Sequence, residues 1–469
     1  MTAVATGVTR QLAGFAVDTR WNDIPPDVRD TVALHLVDAL AAMYAGSTRA
    51  WTGAARAHAL AESAPGRCGI VGSADRLRPA MAAFVNATAT HGLELDDYHV
   101  PAAVHAGCVV VPAGIAVAED LQATSRSLLT ALAVGYEVVI RLGLAMSPEM
   151  TQDRGFHVTG VMGPLGAAAT AANLHRLDAE QAVWALGLAA AQAGGTTEFT
   201  RSGGEVKRLH AGFAASAGLH ATALAARGVS APAHALEGPR GYAQAFGGRR
   251  IDLDQLTDGL GHRWHLDGLG IKAWSTCTGN HAPLAAVGKL CAEGLDAAEV
   301  ERIDVYTDRT TAEHCGHVGP LVSDLTGAQF SLHVTLAMRI ALGGNDPAHY
   351  ALLEQAGFAV PEVTQVAKRV RVFVGDEQER AFSSAPSARV LALLRDGTTM
   401  SATASAPGAP HDPFGWSDVE QKAHRVADAT MGTEVVDRMM STARAWAVND
   451  VPVAETLPWT DGERSADDR

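Results

Sequence analysis

The 469-residue chain is 47% hydrophobic and 19% charged, with a formal net charge of −14. That balance is globular rather than disordered, and the acidic excess argues against a nucleic-acid partner, whose phosphates demand clustered Lys and Arg. Five dispersed cysteines (Cys68, Cys108, Cys277, Cys291, Cys315) with no C-x-x-C pair fit a reducing compartment and argue against a thiolate-held iron–sulfur cluster.

The opening MTAVATGVTRQLAGFAVDTRW lacks the basic, apolar and cleavage regions of a signal peptide. No apolar run reaches the roughly 18 residues of a spanning helix, so a cytoplasmic chain without a membrane partner is expected. Pro25-Pro26 then opens a helical segment in which Val28, Val32, Leu36, Leu40 and Met43 share one face, and Gly46 ends it. Segments 80–89, 109–119, 128–142, 163–174, 179–193 and 207–226 continue the pattern with alanine-rich faces. Small residues on several faces let helices approach closely, which predicts a layered bundle. No repeat of solenoid length is evident.

After about Trp264 the pattern changes. VERIDVY (300–306), VRVFV (370–374) and 388–394 alternate as strands do, and Asp396-Gly397 turns the last of them into 398–404. Helices are expected between them at 280–294 and 332–342, and a helical pattern returns from Asp418 to Ala447. The fold class expected is mainly α: a large helical-bundle domain with an inserted, smaller α+β lid. Residues 1–265 and 407–456 would form the bundle, 266–406 the lid, and 457–469 a flexible tail.

The chain has no G-x-x-x-x-G-K-[ST], strand-linked G-x-G-x-x-G, H-E-x-x-H or G-x-S-x-G. His314-Cys315-Gly316-His317 looks like a metal tract, but nothing nearby completes a ligand set; neither a metal nor another cofactor is expected. The densest polar stretch, HGLELDDYHVPAAVHAG, holds His91, Glu94, Asp96, Asp97, Tyr98, His99 and His105 between two apolar helices. The plain reading is a solvated loop with helix caps. The chemical reading is carboxylates that fix imidazole tautomers and tune their pKa values. His157 lies in RGFHVTG, Lys207 in GGEVKRLHAG, and Lys272 in GIKAWSTCTGNHAP, with Cys277 and His281 following. Any one of these lysines, taken alone, reads as a surface charge.

Taken in order, these segments resemble the MmgE/PrpD family, whose members include 2-methylcitrate dehydratases, cis-aconitate decarboxylases and iminodisuccinate epimerases. DRLRPAMAAFVNATATHGLELDD looks like the stretch running into the family's L-D-F-D-D-T. GIKAWSTCTGNHAP stands in the place of K-P-Y-P-x-C-R-x-x-H-P, and AQFSLHVTLAMRIALGG in that of A-x-F-S-L-x-Y-A-V-A. AVGYEVVIRLG, RGFHVTGVMGPLGAAATAANL, KRLHAGFAASAGLHATALAARG and LEGPRGYAQAF resemble further signatures, and the similarity spans roughly residues 10 to 450.

The resemblance implies a homodimer with a site in the cleft between bundle and lid. His157, Lys207 and Lys272 match family positions without change, and His105 stands at the histidine of H-P-S. Glu94 replaces the first Asp of L-D-F-D-D, Tyr98 replaces Thr, and Thr278 replaces an arginine. A hydroxyl cannot reproduce an arginine's bidentate clamp on a carboxylate, so a substrate with fewer or differently placed carboxylates is expected.

The activity implied is that of a lyase, a dehydratase or decarboxylase, on a small anionic hydroxy or unsaturated acid. His105 or His157 would act as general acid or base, and Glu94 or Asp97 would orient the imidazole. Lys207 and Lys272, from opposite domains, would hold carboxylates and let anion binding close the lid, with Tyr98, Cys277 and His281 beside them. Three alternatives stand beside it: a two-base epimerase or isomerase, a catalytically silent binding protein, and a hydrolase using Cys277 with His281.

Overall fold

Among the described residues up to Ala225 there are eleven helices, and the longer ones stack at close range through alanine- and glycine-rich faces. The eleven are α1 (Val8–Asp18), α2 (Pro26–Ala45), α3 (Ala50–Glu62), α4 (Pro79–His91), α5 (Gly107–Leu121), α6 (Ser125–Met146), α7 (Glu149–Gln152), α8 (Val158–His175), α9 (Ala179–Ala190), α10 (Phe199–Ser202) and α11 (Val206–Ala225). The computed structural model describes residues 7–147, 149–382, 385–454 and 456–460. Pro26 and Pro79 each sit in a first helical turn, where their missing N–H costs nothing.

Helix α11 packs on α4, α8 and α9. A Cβ on its Gly212 would lie 2.3 Å from Thr88 Oγ1 and 2.7 Å from the Phe84 carbonyl of α4. Only glycine fits that crossing, and the close approach sets Lys207 of α11 beside His91 of α4. Helix α6, at 22 residues, is long and apolar enough to cross a membrane by length and composition, a span the residue pattern did not flag, but 94% of its most apolar window is buried in the protein. Its Arg141 donates to Glu137 at 2.6 Å and to the carbonyls of Gln255, Asp258 and Arg263.

Strands β1 (Pro65–Gly69) and β2 (Arg76–Leu77) form one small pair, and β3 (Tyr98–His99) and β4 (Leu269–Gly270) another. A four-stranded sheet contains β5 (Val300–Thr307), β6 (Val370–Val374), β7 (Ser387–Leu394) and β8 (Thr399–Ser405) in the order β6-β5-β7-β8. Only β5 and β6 run parallel; Val305 is flanked by Val372 and Val390. On β7, Ala388, Val390 and Ala392 turn inward at the two-residue period of a half-buried strand, and helix His281–Ala292 covers β7 and β8.

The last helical stretch is two helices rather than one, Trp416–Met431 and Thr433–Val448. Gly432 separates them at φ +82°, a left-handed conformation that ends the first helix. Both pack on α2. The tail also departs from expectation. Leu457 and Trp459 are buried, Trp459 Nε1 donates to Glu119 Oε1 at 3.0 Å, and Tyr44 Oη donates to the Pro458 carbonyl. An indole that covers apolar surface and satisfies a buried carboxylate is held rather than solvated. Residues 461–469 of that expected flexible tail lie outside the described residues.

Candidate active site

The polar stretch between α4 and α5 is a buried loop whose carbonyls are held by side chains from four directions. Arg208 of α11 donates to Gly92 O at 3.0 Å, and Ser275 and Gln329 both donate to Leu93 O. Lys422 of the C-terminal helices donates to Leu95 O at 2.8 Å and to Asp38 Oδ1 at 2.5 Å. His105 holds Asp97 O at 2.7 Å. A buried loop is stable only when its backbone groups are paired in this way. Glu94 itself has φ +56°, a left-handed conformation costing a non-glycine residue about 1–2 kcal/mol.

That turn sends the Glu94 carboxylate between two lysines. One oxygen pairs with Lys207 Nζ, and the other lies 3.3 Å from Lys272 Nζ. Lys272 Nζ also lies 3.5 Å from Asp96 Oδ1. Lys272 arrives just after β4, which pairs with β3 so that Tyr98 opposes Gly270. Burial raises the Glu94 and Asp96 carboxyls, but Lys207 and Lys272 for Glu94, and Lys272 and His91 for Asp96, outweigh it and hold both well below the ordinary range. Burial lowers Lys272, and Asp96 and Glu94 more than reverse it. Glu94, Asp96 and Lys272 are therefore charged at neutral pH, and the carboxylates and the ammonium stabilise one another.

Histidines surround this cluster. His91 Nδ1 lies 2.7 Å from Asp96 Oδ2, and its Nε2 3.4 Å from Lys207 Nζ. The His91 ring stacks on that of His157 at 5.6 Å and lies 6.0 Å from that of His105. Burial, then Lys207, pushes His91 down to about 4 and His157 well below its usual value. His105 is lowered too, by burial and then Lys272. These imidazoles are neutral near pH 7.

A cavity of about 1150 Å³ opens on the cluster, and its wall includes Glu94, Tyr98, His105, His157, Lys207 and Cys277. Tyr98 Oη has no hydrogen-bond partner among the described residues, and burial pushes it up to about 12. Thr278 also faces the cavity, as do Arg154 and Arg201.

Three expected site residues stand elsewhere. Lys272 is fully buried behind Glu94, off the cavity wall. The Asp97 carboxylate is taken by His35 Nδ1 at 3.1 Å, Tyr136 Oη at 2.7 Å and Gly107 N at 2.9 Å. It fixes the start of α5, and a Cβ on Gly107 would lie 2.6 Å from it. The carboxylate nearest the imidazoles is instead Asp96, also 3.9 Å from His105 Nδ1. His281 is buried, with Nε2 3.4 Å from Thr276 O and its ring 5.5 Å from Trp274. The Cys277 thiol pairs with that of Cys315, which lowers Cys277 and raises Cys315. Among the described residues no hydrogen bond joins Cys277 to His281, as a nucleophile and its base would need.

Sequence reasoning left His91, Asp96 and His210 unassigned. The first two lay in the polar stretch itself. His210 follows Lys207 by three residues, a spacing that places both on one helix face, and its Nδ1 lies 2.9 Å from His157 Nδ1.

His314, Cys315 and His317 line the cavity, with Ala312–Gly316 forming a π-helical turn. Among the described residues, the donor atoms that converge as a metal site's would are those of His91, Asp96 and Cys108. They fit an ion poorly. The 2.7 Å His91–Asp96 separation is that of a hydrogen bond, shorter than two ligands about 2.0–2.1 Å from one tetrahedral zinc would allow. Lys272 already sits on Asp96, and Cys108 Sγ donates to His105 O at 3.3 Å.

Residues 10–254 match the MmgE/PrpD N-terminal domain, and residues 274–447 match the MmgE/PrpD C-terminal domain. The chain belongs to the MmgE/PrpD family. It is 29% identical over 476 residues to a cis-aconitate decarboxylase of Aspergillus terreus, covering 96% of each chain. It is 27% identical to the cis-aconitate decarboxylase-like protein oryM of Aspergillus oryzae, covering 97% of this chain and 98% of that one. The human cis-aconitate decarboxylase is 35% identical over 148 residues, 31% of this chain and 30% of the relative.

Proposed function

We propose that this protein is a lyase that removes CO2 or water from a small polycarboxylate by proton transfer beside a carboxylate, without a redox or nucleotide cofactor. The observation that carries this reading is one cavity wall bearing two neutral-biased imidazoles, His105 and His157, together with Lys207 and Glu94. The names of its full-length relatives favour decarboxylation. Breaking the C–CO2 bond leaves its electron pair on carbon, delocalised onto a remaining carboxylate. The Lys207 ammonium faces that developing charge, and an imidazole N–H returns a proton to carbon as CO2 departs. In water loss the same imidazoles would take the proton next to the carboxylate and protonate the departing hydroxide.

His105 is suited to be the base and His157 the acid. The His105 Nδ1 hydrogen is committed to the Asp97 carbonyl, which leaves Nε2 bare. His157 occupies another part of the same wall.

The test is NMR product analysis in D2O, using EDTA-treated protein and a panel of di- and tricarboxylates that includes cis-aconitate. The expected result is either loss of CO2 with one deuterium placed on carbon, or loss of water with the hydrogen next to the carboxylate released to solvent. Deuterium exchange with neither loss would make the protein an epimerase or isomerase. Binding without exchange would make it a binding protein, and activity restored only by added metal would overturn the cofactor-free reading.

A further inference from the structure

His157 lines the cavity and His210 does not, yet their Nδ1 atoms lie 2.9 Å apart and both residues are buried. At that distance one nitrogen must donate and the other accept, because two bare nitrogens would repel and two N–H groups would clash. The contact is sealed. His157 N donates to Gly195 O at 3.0 Å, and a Cβ on Gly195, itself at φ +124°, would lie 3.2 Å from the His210 ring. Phe199 meets the His157 ring edge-on at 5.2 Å. Lys207 of α11, His91 of α4 and His105 of the loop are the titratable groups that bear on His157, and Lys207 bears on His210 as well. Burial and Lys207 push His210 down to about 4. The pair therefore holds a single Nδ1 hydrogen near neutral pH.

We propose that His210 is a positioning residue that donates its Nδ1–H to His157 and so holds His157 in the Nε2–H tautomer. The inference rests on the proposed division of labour: with His105 bare at Nε2, His157 supplies the proton, and only an Nε2–H can be presented to the cavity. His210 touches no substrate, and no proton passes through it. Its part is to fix which nitrogen of His157 carries the hydrogen and which way the ring faces.

Two variants and one spectrum test it. The spectrum is two-bond 1H–15N NMR of histidine-labelled protein, with the two residues assigned from His157→Gln and His210→Gln. It should show His157 as the Nε2–H form, and it needs no substrate. His210→Phe removes the donor and should lower kcat about 100-fold with KM within about twofold, on whichever acid the D2O panel identifies. His210→Gln offers an amide N–H in place of the ring and should recover at least tenfold of that loss. A His157 hydrogen found on Nδ1 overturns the proposal. So does a folded His210→Phe with wild-type kcat, or equal losses in both variants. If His210→Phe does not fold, the spectrum and His210→Gln still decide. Absence of turnover on every acid would defeat the lyase reading while leaving the tautomer result standing.

Discussion

His105 Nδ1 donates to the main-chain carbonyl of Asp97, eight residues earlier, at 2.7 Å. A carbonyl can only accept, so the ring hydrogen is fixed on Nδ1 and the other nitrogen is left as a base. His105→Gln keeps a hydrogen-bonding side chain but cannot titrate. It should lower kcat about 100-fold or more with the fold intact by circular dichroism. Near-normal kcat with only a lower melting temperature would assign His105 a structural part and leave the chemistry to His157.

The two lysines should separate into different phenotypes. Lys207 borders the cavity, so Lys207→Met should lose about 2–4 kcal/mol in kcat/KM. Lys272 is sealed behind Glu94 and balances two buried carboxylates. Lys272→Met should destabilise the fold by about 3–5 kcal/mol, the cost of leaving buried charge uncompensated, as read by urea unfolding. Equal stability in wild type and Lys272→Met would mean that the Glu94–Lys272–Asp96 cluster is solvated rather than buried.

Glu94 offers a complementary check. Glu94→Gln removes the carboxylate that pairs with Lys207 and leaves Lys272 with Asp96 in the cluster, and it should cost about 3–5 kcal/mol of stability. Combining it with Lys207→Met should cost less than the sum of the two, because each single change strands the other's partner. Strict additivity would show that the pair is not coupled.

Much of this was legible in the residues because the relevant signals are local. Alternation gave 370–374 as a strand to the residue, helical period after Pro25-Pro26 located α2, and helical period alone located most of α4. The site loop was visible as a polar stretch between apolar helices. What it could not show was which carboxylate faced which histidine. Asp96 and Asp97 are adjacent, yet one joins His91 and Lys272 while the other caps α5 through Gly107. That division depends on Tyr136 and His35, dozens of residues away, which claim Asp97. Likewise, Leu457 and Trp459 lie in a polar tail, and only the distant Glu119 makes a buried place for the indole.

Stability should fall on mild acidification, and buried histidines set the window. Burial and then Lys207 hold His91 at about 4, and burial and then Lys272 hold His281 at about 3. Unfolded, each titrates near about 6.5. Their contribution is therefore fully present above that pH and is lost as pH falls toward 4, at up to about 1.4 kcal/mol per pH unit for each group. Glu94 and Asp96 act lower. Their depressed carboxyls contribute stability above their unfolded values near about 4 and lose it only below. Urea unfolding at pH 7.5 and pH 5 should show the loss, and His281→Gln should reduce the difference. An unchanged free energy across that interval would mean that these histidines are protonated in the folded state.

Thr278 is where the substrate's charge can be read. It faces the cavity one residue after Cys277, at the position where the family resemblance leads one to expect an arginine. The cluster below supplies little spare positive charge, since Glu94 and Asp96 already balance Lys207 and Lys272. A ligand with several carboxylates would thus meet mainly Arg154 and Arg201 on the wall. Thr278→Arg adds a planar donor fork without disturbing the lysine cluster. It should tighten binding of tricarboxylates by about tenfold or more relative to monocarboxylates, in line with about 1.5–3 kcal/mol for a hydrogen bond to a charged group. Binding can be measured by calorimetry, so the result does not depend on which reaction follows. Equal gains for mono- and tricarboxylates would reduce the effect to a general change in cavity charge. No gain for either would mean that the position does not face the carboxylate-binding part of the site.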